Sequence, residues 1–140
     1  MTFDYIKHVI KSCEYLNDFD ICVDYISQNE KSVSIIPVNS QNCLRTYSDG
    51  EKVIGVEFKL IIRLKTDVED KSENYRLLDN ISNWLYEFEP EEFKSEVPEN
   101  FIPLKMEVVS GPVLDSDDIH SGRYKIDCRF KYLLKKYFIN

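Results

Sequence analysis

Two stretches of this chain alternate so strictly between apolar and other side chains that a β-sheet is their natural home. One carries Val56, Phe58, Leu60, Ile62 and Leu64; the other carries Tyr124, Ile126, Cys128, Phe130 and Tyr132. Glu57, Lys59, Arg63 and Lys65 fill most of the intervening positions in the first, and Lys125, Asp127, Arg129 and Lys131 those in the second. Successive side chains of a strand point to opposite faces, so a period of 2 marks a strand with one buried and one wet face. Such a pattern belongs to an antiparallel type of sheet, since all-parallel strands are covered on both sides.

A length of 140 residues is enough for one real core and short for two, so a single domain over residues 1–140 is expected. With 43% hydrophobic and 13% aromatic residues the chain can pack an interior, which the 31% of charged residues would coat. The net charge of -7 argues against non-specific attraction to nucleic acid, where Lys and Arg must neutralise phosphates, and leaves a protein partner open. No apolar run approaches the ~20 residues that span a bilayer, and MTFDYIKHVI does not read as a secretion signal, so a cytosolic protein is expected. Cys13, Cys22, Cys43 and Cys128 are far apart, without a CxxC pair or a His at ligand spacing. They read as reduced thiols, and neither a metal nor a redox cofactor is expected.

Along the chain, Phe3, Ile6, Val9, Ile10, Cys13 and Leu16 fall at helical spacing, with Thr2 placed to cap the start and Asp4 suited to the first turn. Residues 21–27 and 33–38 read as short strands around a polar stretch, and Pro37, which has no N–H to donate, implies an edge or a strand end. Residues 43–47, the turn Ser48-Asp49-Gly50 and the first alternating stretch make a β-hairpin. Residues 66–71 read as a charged linker, and Ser72 as the cap of a helix with Tyr75, Leu78, Ile81, Leu85 and Phe88 on one face, widened by Leu77 and Trp84 and stopped by Pro90. Residues 89–103, with five glutamates and three prolines, read as a solvated loop. Leu104, Met106 and Val108 resume the period of 2. Gly111-Pro112 and the polar residues 115–122 then separate them from the second long stretch, as in a hairpin with a large loop. The sum is an α+β fold, an antiparallel or mixed sheet of about five to six strands packed by two helices.

None of these residues forms a catalytic pattern. Asp115, Asp117 and Asp118 could be imagined around a hard cation, but the Gly and the closing Glu of a calcium loop do not fall in place, and a solvated turn accounts for them. His120 has no second His or Cys at ligand spacing, and His8 lies off the apolar stripe of its helix. Glu87, Glu89, Glu91 and Glu92 lack the pocket that would push paired carboxylates apart in pKa. No serine has the GxSxG context, and with four glycines there is no phosphate-cradling loop. Trp84 reads as core and Tyr86 as exposed. If the two long strands share a sheet, Lys59, Arg63, Lys65, Lys125, Arg129 and Lys131 line its wet side. That stripe is either a cross-strand ion-pair network with Glu57 and Asp127 or a docking surface for an acidic neighbour.

The order of motifs carries a resemblance. Arg45-Thr46-Tyr47-Ser48-Asp49-Gly50 is followed by the long strand 56–64, a helix with Asn80, Trp84 and Leu85, then Ile102-Pro103-Leu104, and a strand opening Gly122-Arg123-Tyr124-Lys125-Ile126. Over about residues 44–134 this resembles the minor capsid or tail-terminator-like proteins from the tail-assembly region of phages and prophages of Gram-positive bacteria. The chain departs from that pattern in its acidic residues 89–99 and in Gly122, where Ala is more usual.

The resemblance implies a structural tail-completion protein. It would form a ring, a hexamer by the resemblance, that binds the last ring of the tail tube, ends polymerisation and offers a surface to the head-completion or connector protein. Such a protein acts in the host cytoplasm during assembly and then in the virion or tail-like particle, with no membrane and no direct nucleic-acid contact. Its contacts are expected at Arg45, Asp49, Lys59, Arg63, Asp115, Asp117, Asp118, His120, Arg123 and Arg129. Two competing readings are a small acidic binding or immunity-type protein that neutralises a basic partner, and an enzyme with a site built from scattered carboxylates.

Overall fold

An apolar row as long as those of the two alternating stretches needs a cover, and two amphipathic helices supply it. The computed structural model describes residues 2–38, 42–65, 72–90, 98–117 and 121–135. In chain order the elements are helix α1 (Thr2–Lys11), a 3-10 turn (Glu14–Leu16), strands β1 (Asp20–Val23), β2 (Ser32–Pro37), β3 (Asn42–Thr46) and β4 (Lys52–Lys65), helix α2 (Ser72–Glu87), and strands β5 (Phe101–Asp117) and β6 (Ser121–Leu134). The six strands form one sheet in the order β1-β2-β4-β6-β5, with β3 paired to β4 off this path.

The alternating stretches are its centre. β4 and β6 pair antiparallel from Lys52 opposite Leu134 to Lys65 opposite Ser121. On the other side of β4, β2 pairs with residues 58–63 and β3 with residues 52–55, so these two strands share one edge. β1 and β2 are parallel, which makes the sheet mixed and the architecture α+β.

Both helices lie on the inner face. Tyr5 stacks on Phe130 at 4.7 Å between ring centroids, Phe3 meets Phe58 edge-on at 6.5 Å, and Tyr75 meets Tyr124 edge-on at 5.3 Å. Tyr5, Ile6, Val9 and Ile10 of α1 and Leu78, Ile81 and Leu85 of α2 are fully buried with the inner residues of β4 and β6 in one cluster. Burial also raises the thiols of Cys13, to about 11, and of Cys128, which keeps them protonated. Among the described residues no helix is long and apolar enough to cross a membrane.

Four expectations need correction. α1 ends at Lys11, and Cys13 and Leu16 reach the core from the 3-10 turn that follows. β1 stops at Val23, because Asp24 takes a left-handed φ of 67° that no regular strand accommodates. Phe101 to Pro103 belong to β5 rather than to a loop. β5 then runs through Gly111-Pro112 to Asp117 by absorbing four register shifts, with Asp117 opposite Gly122, so no large loop begins at Asp115. Pro37 is the last residue of β2, a strand end. The linker 66–71 lies outside the described residues.

Candidate interaction surface

Among the described residues the outer face of the sheet carries no helix, and it divides into three zones. In the first, residues 24–31, which join β1 to the parallel β2, cross the end of β4. Ser27 N–H donates to Ser34 Oγ at 3.1 Å, and Arg63 Nε donates to the Ser27 carbonyl at 3.2 Å. Arg63 is therefore only 9% exposed, and Ile61 beside it 6%. An apolar residue at position 61, on the parity otherwise charged, is the sequence signal of this cover.

The middle zone is a lattice of opposite charges. Cross-strand register sets Glu57 against Arg129 and Lys59 against Asp127, and β5 brings Glu107 against Arg129 from the other side. Arg129 donates to Glu57 Oε1 at 3.0 Å, Ser110 Oγ donates to Asp127 Oδ2 at 2.6 Å, and Lys131 Nζ stands 3.1 Å from Glu107 Oε1. The cross-strand ion-pair reading thus accounts for Arg129 and Lys131. Glu57 and Glu107 pair with two of the stripe's basic residues, and Asp127 stands opposite Lys59 in register while it accepts from Ser110.

The third zone lies around the β3–β4 hairpin. Tyr47 N–H bonds to the Glu51 carbonyl at 2.8 Å, Asp49 Oδ1 accepts from Glu51 N–H at 2.9 Å, and Gly50 supplies the positive φ of 92° that closes a three-residue turn. The side chain of Leu44 settles over Gly55, where an added Cβ would approach Leu44 Cδ1 to 2.9 Å. Arg45 lays its guanidinium over the Tyr47 ring at 4.9 Å. Tyr47, Asp49, Glu51, Val53, Leu104 and Leu133 line a groove of about 400 Å³.

The expected contact residues therefore do not converge. Arg45 and Asp49 share the hairpin; Lys59 and Arg129 lie two rows apart in the charge lattice; Arg63 and Arg123 face each other at the far end of the β4–β6 pair. Asp115 is exposed near the end of β5, Asp117 pairs through its backbone with Gly122, and Asp118 and His120 lie outside the described residues. Trp84 packs partly buried against Phe88, and Tyr86 is 65% exposed beneath the Lys105 amine at 4.5 Å. The sequence reading missed the exposed apolar set Leu44, Tyr47, Leu104, Val109 and Val113. Its signal was available in Val53 and Leu133, apolar residues on parities that alternation assigns to water.

No protein-family model matches the chain, and a search of curated proteins gives no significant match.

Proposed function

We propose that the protein is a tail-completion protein of a phage, prophage or tail-like particle. Copies of it form a ring on the finished tail tube, stop polymerisation and present a surface to the head connector. The reading rests on the resemblance in motif order, and one observation carries it further: every motif of that order lies on one sheet or on a helix packed against its inner face. The Tyr47-Asp49-Gly50 hairpin, long β4, α2 with Trp84, the Pro103-Leu104 start of β5 and the Arg123-Tyr124 start of β6 form a rigid frame. The opposite face keeps charges of both signs and exposed apolar side chains. A part that works by contact needs such a stiff, decorated frame, since preformed surfaces dock with little ordering cost.

On this reading the molecule works in the host cytoplasm during assembly and in the particle thereafter, with the tube protein and the connector protein as partners. Negative-stain imaging of tail tubes assembled with and without the protein is the direct test. Rings at tube ends and tubes of limited length are expected. Tubes that grow without limit and carry no end cap in its presence would refute the proposal.

A further inference from the structure

We infer that two copies of this chain join into one continuous sheet about a two-fold axis, the β1 edge of each pairing with the β3 edge of the other. The inference does not rest on the tail-completion reading, since a ring with one end on a tube is polar and draws on other contacts.

An outermost strand keeps a row of backbone N–H and C=O groups without a sheet partner, which makes it a template for another strand. Among the described strands, β1 pairs only with β2, β3 only with β4 and β5 only with β6. β5 is guarded against addition: Pro103 and Pro112 supply no N–H, and its register shifts four times. β1 and β3 contain no proline, and all five residues of β3 are exposed.

The side of the sheet that these two strands share is stepped. β3 lies next to β4 along residues 52–55, whereas β2 lies next to it along residues 58–63 with β1 outside β2. One end of this side is therefore a single strand out from β4, and the other end is two. Turning a second copy by half a revolution about an axis normal to the sheet sets the projecting β1 of each copy beside the recessed β3 of the other. At both ends β4 and its counterpart are then four strand spacings apart, about 19 Å, so the two steps match. β1 and β3 both run antiparallel to β4, and the rotation reverses one of them, which makes each seam antiparallel. Pairing β1 with β1, or β3 with β3, leaves the other step unfilled.

Side-chain parity sets the register. The rotation keeps the outer face outward, so residues of that face must meet residues of the same face. Arg45 stands opposite Val53, and Asp20 shares a row with Ser32 and Arg63, so both belong to the outer face. With the axis level with Phe58, Arg45 of each copy lies directly opposite Asp20 of the other, and Cys43 opposite Ile21. Opposite charges facing each other across strands favour this register, and the two-fold makes the contact twice. Asp20 is exposed and accepts one hydrogen bond, from Asn29 at 2.6 Å, through Oδ2. Arg45 lies over the Tyr47 ring and has no carboxylate partner among the described residues.

Sedimentation equilibrium should show a monomer and a dimer and nothing larger. Arg45→Glu and Asp20→Lys should each weaken the dimer by about ten-fold or more, because each places like charges in both seams. The two reversals combined in one chain should restore it, which a damaged fold would not allow. In a Cys43→Ser background, an equal mixture of Arg45→Cys and Asp20→Cys chains should give disulfide-linked dimers under mild oxidant, and neither chain alone should. A chain that stays monomeric at its highest soluble concentration would overturn the inference, as would charge reversals without effect. So would linked dimers from either cysteine variant alone, or linked species larger than two from a chain carrying both cysteines. A dimer that leaves tail tubes uncapped would sink the tail-completion reading and keep this one; tubes capped by a chain that never dimerises would do the opposite.

Discussion

The two faces of the sheet are built from the same strands and obey different rules. On the inner face, the inward residues are buried from Ile54 to Leu64 of β4 and from Tyr124 to Tyr132 of β6, in one cluster with the buried side chains of both helices. On the outer face, accessibility changes every few residues: Arg63 is sealed by residues 24–31, Glu57 and Arg129 are about two-thirds buried in a charge lattice, and Leu44 and Leu104 stand open. The inner face sets whether the chain folds, and the outer face sets what it can touch. Substitutions should therefore separate into large effects on stability from one side and small ones from the other.

The largest effect is expected from Phe130→Ala. Phe130 is 1% exposed, stacks on Tyr5 and touches Tyr132, so truncation removes an aromatic from a site that helix and sheet hold open. A loss of about 3–5 kcal/mol is the usual cost of such a cavity. Urea unfolding monitored by far-UV circular dichroism would read it; a loss below that for an outer-face truncation would contradict the division between the faces.

Gly111→Ala tests the bulged strand β5, where the faces are least distinct. Gly111 has a φ of 96°, and a Cβ there would lie 2.6 Å from the backbone carbonyl of Lys125. Backbone cannot yield as a side-chain tip can, so the cost should exceed the ~1–3 kcal/mol of an unfavourable φ alone. Hydrogen exchange would show whether the loss is local to the β5–β6 pairing or global.

Why β5 was misread follows from the same geometry. Alternation reports parity, and each bulge changes parity by one, so a strand with four register shifts shows no sustained period although it is paired throughout. β4 and β6 pair with each other without a shift, and they were legible residue by residue. The helices were legible by their apolar spacing, with an error at the end of α1, where Cys13 and Leu16 keep helical spacing while the backbone has left the helix. The surface was less legible still. Whether Arg129 is a docking residue or an ion-pair partner depends on Glu57 72 residues away and on Glu107 of another strand, which no local pattern reports.

On the outer face, Arg129→Ala should cost no more than about 1 kcal/mol, because the Arg129–Glu57 pair is roughly one-third exposed and solvent screens it. A double-mutant cycle with Glu57→Gln should return a coupling of a few tenths of a kcal/mol that shrinks as salt is added. A coupling of several kcal/mol, insensitive to salt, would mean that the outer lattice holds the fold as the inner face does.

The smallest effect should come from a buried residue on the inner face, and it sharpens the comparison most. Tyr5 and Tyr132 are both buried, but Tyr5 donates its hydroxyl to the Pro90 carbonyl at 3.0 Å, whereas the Tyr132 hydroxyl has no hydrogen-bond partner among the described residues. Tyr5→Phe should cost about 1 kcal/mol, because a buried carbonyl loses its donor. Tyr132→Phe removes a polar group that folding strips of water without compensation, and should be neutral or slightly stabilising. Burial also raises the Tyr132 phenol above its ordinary value of 10.0. The unfolded chain then releases that proton first, so stability present below pH 10 falls as pH rises toward the raised folded value. Phenylalanine at this position should flatten that alkaline decline. A Tyr132→Phe protein less stable than wild type at neutral pH, with an unchanged alkaline slope, would show that the hydroxyl is satisfied in solution.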